Sequence, residues 1–162
     1  MYRIFTDAAV DLPDYFWDDT EVYVLPMDYE IDGETYTYVP HVQEDLKLDF
    51  YTKLREGALA STTQITPFQF EEVFRKHLES GEDILYLAFS KKLSSTYESS
   101  LMAKKVLEEE FPERKIVCLD SICCSGGLGQ IVKDMEENRL AGMSLDDNVS
   151  YHEENWDSYA HY

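Results

Sequence analysis

Hydroxyl-bearing side chains cluster at two places where the sequence predicts the start of a helix. One cluster lies at residues 61–64 (STTQ), and the other lies at residues 94–96 (SST), after the apolar run 84–88. Hydroxyls and free backbone N–H groups at a helix start can hold an anion without a basic side chain. A carboxylate bound there would gain charge-assisted hydrogen bonds. The residues by themselves leave a second interpretation open, in which both clusters only cap helices.

The two serines of the second cluster are expected to have different roles. Ser95 and Glu98 have the spacing of a capping box, so we predict that Ser95 caps the following helix. Ser94 then lies one residue before the helix, with its hydroxyl free for a ligand. Thr66 and Gln69, on either side of a proline, predict a second capping box at the start of the preceding helix.

Other patterns in the sequence offer little for catalysis or metal binding. Residues 125–129 (SGGLG) fit neither a dinucleotide-binding fingerprint nor a Walker loop, and close packing of a helix on the sheet explains their glycines better. No His-x-x-x-His pair exists for zinc, and no Gly-x-Ser-x-Gly elbow is present. His77 falls in mid-helix and is predicted to face solvent. Three cysteines, two of them adjacent, indicate reduced thiols. We therefore expect no catalytic residue, no metal site and no cofactor.

The elements that must position these residues alternate between strand and helix from about residue 43 onward. Predicted strands cover residues 2–6, 22–26, 27–31, 84–89 and 115–119, and predicted helices cover residues 43–55, 67–80, 95–110 and 128–140. Such alternation is typical of an α/β fold in which a parallel sheet is flanked by helices. Ligands of such sheets bind outside the carboxyl ends of the strands, where we expect both hydroxyl clusters to lie.

Short patterns predict local details of these elements. The Asp-Gly pair at residues 32–33 predicts a tight hairpin turn. Apolar spacing predicts the buried faces of two helices, namely Leu46, Phe50 and Leu54 in the first and Leu101, Val106 and Leu107 in the second.

Composition narrows the classes of partner. The chain has 162 residues, enough for one domain with a real core, and a net charge of -19. Acidic side chains outnumber basic ones by 13 to 2 in residues 1–50 and by 8 to 1 in residues 134–162. This charge disfavours nucleic acids and anionic membranes, although an acidic face could bind a basic protein. Neither an apolar run of membrane-spanning length nor a signal-peptide pattern is present, so we expect a cytoplasmic protein.

Five motifs together resemble the DegV family of bacterial fatty-acid-binding proteins. They occur in the family's order and spacing at residues 6–13 (TDAAVDLP), 24–36 (VLPMDYEIDGETY), 61–70 (STTQITPFQF), 89–100 (FSKKLSSTYESS) and 119–129 (LDSICCSGGLG). The resemblance implies binding of a long-chain fatty acid and its presentation to a separate fatty-acid kinase. It also implies two domains, with the acyl tail buried between them and within the core.

The resemblance also implies roles for particular residues. Thr62 and Ser94 match the family hydroxyls that hold the lipid carboxylate, and we expect Thr63 and Ser95 to support them. The sequence departs from the family pattern at the first loop, where hydroxyl residues are replaced at Ala8 and Ala9. It also departs at residues 91–92, where two lysines make the loop more charged than the family pattern.

We therefore predict that residues 1–142 form a DegV-type lipid-binding α/β domain. Residues 143–162 are predicted to be an acidic aromatic tail, either disordered or the truncated start of a second domain that is absent here. Binding of a long-chain fatty acid without catalysis is the main hypothesis, with a fatty-acid kinase as partner and a homodimer as an open alternative. A truncated acidic interaction module that has lost lipid binding is the second hypothesis, and a small α/β hydrolase using Ser94 is the third.

Overall fold

Helices and strands alternate between residues 44 and 140, and the elements that the sequence predicted lie within three residues of their predicted bounds. The computed structural model describes residues 1–40 and 44–159, without the side chains of residues 44–47. The described elements are β1 (Tyr2–Asp7), α1 (Asp14–Asp18), β2 (Tyr23–Leu25), β3 (Met27–Ile31), β4 (Glu34–Tyr38), α2 (Glu44–Arg55), β5 (Ala60–Thr62), α3 (Pro67–Glu79), β6 (Asp83–Ala88), α4 (Thr96–Glu110), β7 (Ile116–Asp120), α5 (Ser125–Leu140), α6 (Leu145–Asn155) and a 3-10 turn (Trp156–Ser158).

Four parallel strands form the main sheet, in the order β2-β1-β6-β7. In the central pair, Tyr2 lies opposite Asp83 and Thr6 lies opposite Leu87. Parallel neighbours need a long crossover connection, and α4 supplies it between β6 and β7. The predicted α/β class, with a parallel sheet flanked by helices, is confirmed.

Both faces of this sheet are buried, which explains the continuous apolar run of β6. Side chains alternate between the faces of a strand. Tyr86 and Ala88 join a core with residues of α3 and α4, whereas Leu85 and Leu87 join a second core with residues of α5. A strand buried on both sides needs apolar residues at every position rather than at alternate ones.

The strands β3, β4 and β5, which follow β2 in the chain, form a smaller antiparallel sheet in the order β4-β3-β5. The hairpin between β3 and β4 turns at Asp32 and Gly33, which have φ angles of 54° and 78°. Positive φ at both central residues is what a two-residue type I′ turn requires, so the predicted Asp-Gly turn is confirmed. Helix α2 packs on this sheet through Phe50, whose ring centroid lies 5.1 Å from that of Tyr29.

Two of the predicted helix faces differ in the structure. Leu101 and Val106 are exposed, and α4 instead buries small residues and one leucine at helical spacing: Thr96, Ser99, Ser100, Ala103 and Leu107. Small side chains let a helix lie close to its neighbours. A pattern of large apolar residues therefore does not show that α4 buries the face with the small ones. Leu54 of α2 is also exposed, and the Leu46 side chain lies outside the described residues.

Helix α6 occupies most of the segment for which the sequence indicated a loose tail. Its buried side chains are Leu145, Asn148 and His152, which are spaced three or four residues apart and lie on one face. The Asn148 side-chain nitrogen donates to the Met135 carbonyl at 2.8 Å and to the Tyr2 hydroxyl at 3.0 Å. The segment is acidic overall, so its average polarity gives no sign of these three buried positions. The predicted domain boundary at residue 142 stays a prediction.

No helix within residues 1–40 and 44–159 is both long and apolar enough to cross a membrane.

Candidate functional site

A cavity of about 350 Å³ lies at the carboxyl end of β1, beside the small antiparallel sheet. Its lining comes from the loop after β1, both strands of the hairpin, α2, β5 and the start of α5: Ala8, Ala9, Val10, Asp11, Met27, Tyr29, Tyr38, Phe50, Tyr51, Thr62 and Ser125. Most of these side chains are apolar or aromatic. The cavity is therefore suited to an apolar ligand with a small polar group.

Aromatic contacts fix the wall that the small sheet contributes. The ring of Tyr29 stacks on Tyr36 at 5.3 Å and meets Phe50 edge-on. Such contacts hold aromatic rings in defined orientations. Burial raises the pKa of Tyr29, and the neighbouring Tyr36 acts in the same direction. A neutral, ordered ring therefore forms this part of the lining.

Thr62 lines the cavity, but it lies on a strand and not in the loop that the sequence indicated. It ends β5, where it is paired antiparallel to Tyr29 of β3. The pairing was missed because β5 has only three residues, all exposed, and carries no apolar pattern. The hydroxyl of Thr62 has no hydrogen-bond partner among the described residues, which leaves it available to a ligand.

Thr63 follows β5 and fastens it to the hairpin. Its backbone N–H and its hydroxyl both donate to the Asp28 carbonyl, at 3.0 and 3.2 Å. The Thr63 hydroxyl is thus already engaged, and the residue holds Thr62 in place.

The predicted capping role of Ser95 at the start of α4 is wrong, and the Ser94 oxygen is already engaged, whereas the sequence indicated that it was free. Ser95 is the residue before the helix, but its side chain makes no capping hydrogen bond. The Ser94 oxygen instead accepts the Thr96 backbone N–H at 3.2 Å and lies 2.9 Å from the Thr96 hydroxyl. Ser94 is therefore not uncommitted, and it is not one of the described residues that line the cavity with Thr62. The capping box of Thr66 and Gln69, by contrast, is confirmed.

A buried carboxylate that the sequence did not indicate connects the loop after β1 with residues 89–94, which we call the Ser94 segment. Asp7 is 3% exposed and ends β1. It accepts hydrogen bonds from the Ala9 N–H at 3.1 Å, the Tyr86 hydroxyl at 2.8 Å and the Phe89 N–H at 2.9 Å. Burial raises the pKa of the Asp7 carboxyl group, although the three hydrogen bonds act in the opposite direction. Burial and the nearby Asp7 also raise the pKa of Tyr86.

One glycine at the start of α5, Gly129, packs closely, but against the loop after β1 and not against the sheet, whereas Gly126 meets no atom within 4 Å. A Cβ atom on Gly129 would lie 2.3 Å from the Asp11 carbonyl oxygen, closer than van der Waals contact allows. The Asp11 N–H donates to the Ser125 carbonyl at 3.2 Å. This close approach positions Asp11 and Ser125 on the cavity wall.

Among residues 1–40 and 44–159, no group of three or more metal-ligating side chains comes together. His77 is half-buried rather than solvent-facing, because its ring packs on Phe5 at 4.9 Å and its Nδ1 lies 2.7 Å from Glu82. Cys118 and Cys124 are free thiols in the described part of the chain. His41 and His161 lie outside the described residues.

Sequence comparison gives one family over the full length of the chain. A family profile described as "Uncharacterised protein, DegV family" matches residues 1–162. A DegV domain-containing protein of Clostridium perfringens is 38% identical over 162 residues, which are 99% of this chain and 55% of that protein. One from Lactococcus lactis is 35% identical over 91% of this chain and 51% of its own length.

Solved structures share the fold. A fatty-acid-binding DegV family protein from Thermus thermophilus superposes with a TM-score of 0.80 at 30% identity, covering 97% of this chain and 54% of that one. The fatty acid kinase B3 protein of Streptococcus pneumoniae, loaded with linoleic acid, superposes with a TM-score of 0.79 at 16% identity, covering 97% and 54%. The chain thus spans about half the length of the relatives that it matches.

Proposed function

This chain belongs to the DegV family, and from that premise we propose that it binds a long-chain fatty acid without catalysing a reaction on it. The observation that carries the proposal is the cavity of about 350 Å³ lined by apolar and aromatic side chains. Ligand sites of proteins commonly have volumes of about 300–1,000 Å³. Moving an alkyl chain from water into such a site gains ~0.8 kcal/mol for each buried CH₂ group. Fatty-acid binding by the Thermus thermophilus protein supports the same function.

The hydroxyls of Thr62 and Ser94 hold the carboxylate in this proposal. Support for Thr62 comes from its position in the cavity lining and its unpaired hydroxyl among the described residues. Ser94 can serve if the Thr96 N–H and hydroxyl both donate to its oxygen, because the Ser94 proton is then free for the ligand. Thr63 supports Thr62 through its bonds to Asp28, and Ser95 joins Ser94 to the helix.

We further propose that the bound acyl chain is presented to a fatty-acid kinase in the bacterial cytoplasm. The Streptococcus pneumoniae protein is named as a fatty acid kinase B3 protein, which motivates this step, and the chain covers about half of it.

Oleate binding to the 162-residue chain tests the proposal. Native mass spectrometry of protein purified from a bacterial cytosol is expected to show a co-purified fatty-acid mass. After delipidation, Thr62→Val is expected to weaken oleate binding about tenfold or more, because a hydrogen bond to a charged group contributes roughly 1.5–3 kcal/mol. Thr62→Ser keeps the hydroxyl and is the matched control, with affinity near that of the wild type.

A wild-type chain that binds no oleate would contradict this function, and a Thr62→Val variant that binds oleate unchanged would contradict the role of Thr62. The first result would favour the second candidate, an acidic interaction module that has lost lipid binding. One observation favours that candidate, namely that the Ser94 oxygen is engaged by Thr96 and lies outside the cavity lining. A hydrolase using Ser94 has no comparable support, because the partner of this hydroxyl is a threonine and not a base.

A further inference from the structure

The Asp7 carboxylate connects two segments that the proposed ligand must contact together. Its Oδ1 accepts the N–H of Ala9, which lines the cavity, and its Oδ2 accepts the N–H of Phe89, which begins the segment leading to Ser94. Thr62 and Ser94 lie on different elements, and Ser94 is not among the described cavity-lining residues. Something in the structure must therefore set the position of the Ser94 segment relative to the cavity.

We propose that Asp7 is a positioning residue. It fixes the loop after β1, which lines the cavity, relative to the Ser94 segment, so that one fatty acid can contact both. This inference rests on the proposed function. Asp7 itself is buried and touches neither the cavity surface nor the expected ligand. It acts through the backbone of Ala9 and Phe89.

Only a carboxylate meets the demands of this position. Three donors converge on Asp7, with one directed at Oδ1 and two at Oδ2. An asparagine side chain offers one acceptor oxygen and one donor NH₂ group. In either orientation, its NH₂ group would face a backbone N–H, either that of Ala9 or that of Phe89. Asp7→Asn therefore releases one of the two segments at nearly unchanged side-chain volume.

A second carboxylate holds the far side of the same segment. Asp120 accepts the Lys91 N–H at 3.2 Å, and its side chain lies 3.6 Å from the Lys91 ammonium group. That contact ties the segment to the end of β7. Asp7 alone ties it to the cavity through a side-chain hydrogen bond among the described residues, so loss of Asp7 is not replaced by Asp120.

The test compares Asp7→Asn with Glu82→Gln in the full 162-residue chain. Glu82 is also a buried carboxylate with several hydrogen bonds, but it precedes β6, whereas Phe89 follows that strand. The two ends of a six-residue strand lie about 20 Å apart. Amide hydrogen exchange in the ligand-free protein is expected to accelerate at residues 8–10 or 89–94 in Asp7→Asn and at neither segment in Glu82→Gln.

Oleate affinity provides the second readout, measured at a temperature at which circular dichroism shows each variant folded. Asp7→Asn is expected to bind at least tenfold more weakly than wild type, and Glu82→Gln within twofold. In a Ser94→Ala background, Asp7→Asn is expected to cost less than threefold, because the contact that it positions is already lost. If Asp7→Asn does not fold, Tyr86→Phe removes one donor and is expected to accelerate exchange at residues 89–94 and weaken binding two- to fivefold.

The outcomes distinguish the positioning role of Asp7 from the proposed function. Unchanged exchange at both segments, or wild-type affinity in Asp7→Asn, overturns the positioning role and leaves the proposed function intact. A full tenfold loss that persists in the Ser94→Ala background also overturns it, because Asp7 would then act on the fold and not through Ser94. If Tyr86→Phe stands in, unchanged exchange and affinity overturn the role as well. A wild-type chain that binds no oleate overturns the proposed function and this inference together.

Discussion

Backbone conformation assigns the hydroxyl roles at the start of α4. Ser95 has φ -82° and ψ 9°, which lie in the bridge region and not in the extended region. A capping residue needs an extended backbone so that its side chain can turn back to the free N–H groups. The Ser94 oxygen instead accepts the N–H two residues ahead, which is a common local turn of serine.

Stability measurements on two alanine variants follow from this assignment. Ser94→Ala is expected to lower the free energy of unfolding by about 1 kcal/mol, the usual cost of losing a side-chain bond at a helix start. Ser95→Ala is expected to stay within about 0.5 kcal/mol of wild type, as is typical of exposed positions. Urea melts of the two variants measure this difference, and the reverse ranking would restore Ser95 as the cap.

At the opposite end of the sheet, Glu82 joins three elements. Its carboxylate accepts from Arg3 of β1 at 3.0 Å, and lies 2.7 Å from His77 of α3. Burial by itself would raise the pKa of Glu82, but the bonds to Arg3 and His77 outweigh it, so the pKa lies below its ordinary value. The ionised carboxylate is therefore favoured by folding.

The lowered pKa of Glu82 predicts a pH dependence of stability. A carboxyl group whose folded pKa lies below its unfolded value stabilises the protein above the unfolded pKa, about 4.3, and loses that contribution as pH falls through the folded pKa. Glu82→Gln is expected to cost roughly 1.5–3 kcal/mol at pH 7, with the gap to wild type narrowing below about pH 4. Thermal melts from pH 3 to 7 measure the gap, and a gap independent of pH would contradict the assignment.

At the scale of elements, α5 and the loop after β1 form one unit of the cavity wall. Gly129 lets the helix lie against the Asp11 backbone, and Val10 pairs with Ser125 as an isolated bridge. The apolar face of α5, including Leu128, Ile131 and Met135, then packs on the main sheet. Helix α5 thus connects this part of the cavity wall to the protein core.

Two glycines on α5 provide a matched pair of substitutions. Gly129→Ala places a methyl group 2.3 Å from the Asp11 carbonyl oxygen and must displace the loop, at a cost of about 1–3 kcal/mol. Gly126→Ala meets no atom within 4 Å and is expected to be neutral or to stabilise by up to about 1 kcal/mol. Urea melts test the pair, and oleate binding is expected to weaken only in Gly129→Ala. Equal stabilities would show that the loop yields without cost.

At the scale of the whole molecule, large apolar side chains are exposed on or next to two elements that contribute to the cavity lining, α2 and β5, despite a net charge of -19. Leu48 and Tyr51 on α2 are 69% and 56% exposed, and Leu59 before β5 is 89% exposed. Exposed apolar patches of this kind commonly mark surfaces that another protein segment covers. In a purified sample, the partner available to cover these side chains is a second copy of the chain.

Binding by the 162-residue chain is therefore expected to be weak as a monomer and coupled to self-association. A long acyl chain would leave part of its length in water, and each uncovered CH₂ group forgoes ~0.8 kcal/mol. Light scattering with and without oleate is expected to show a larger mass with the ligand, and Leu48→Ser with Leu59→Ser is expected to reduce that increase. A strictly monomeric chain with nanomolar affinity would contradict this expectation.

The sequence by itself determined the parts of the protein that depend on near neighbours along the chain. The apolar run of β6 predicted a buried strand, Asp32 and Gly33 predicted the hairpin turn, and five motifs in order indicated the family. Each of these patterns extends over a few residues, because strand periodicity, turn conformation and helix capping are local properties of the backbone.

Only the tertiary structure decided which residues meet at the cavity. Asp7 and Phe89 are 82 residues apart, and Thr62 reaches the cavity through a three-residue strand with no apolar pattern. Loops and short strands take their positions from what packs beside them, so local preference does not specify them. Local preference also failed to specify which serine bonds to the start of α4, because the backbone angles of Ser95 depend on the path of the chain from β6 into α4.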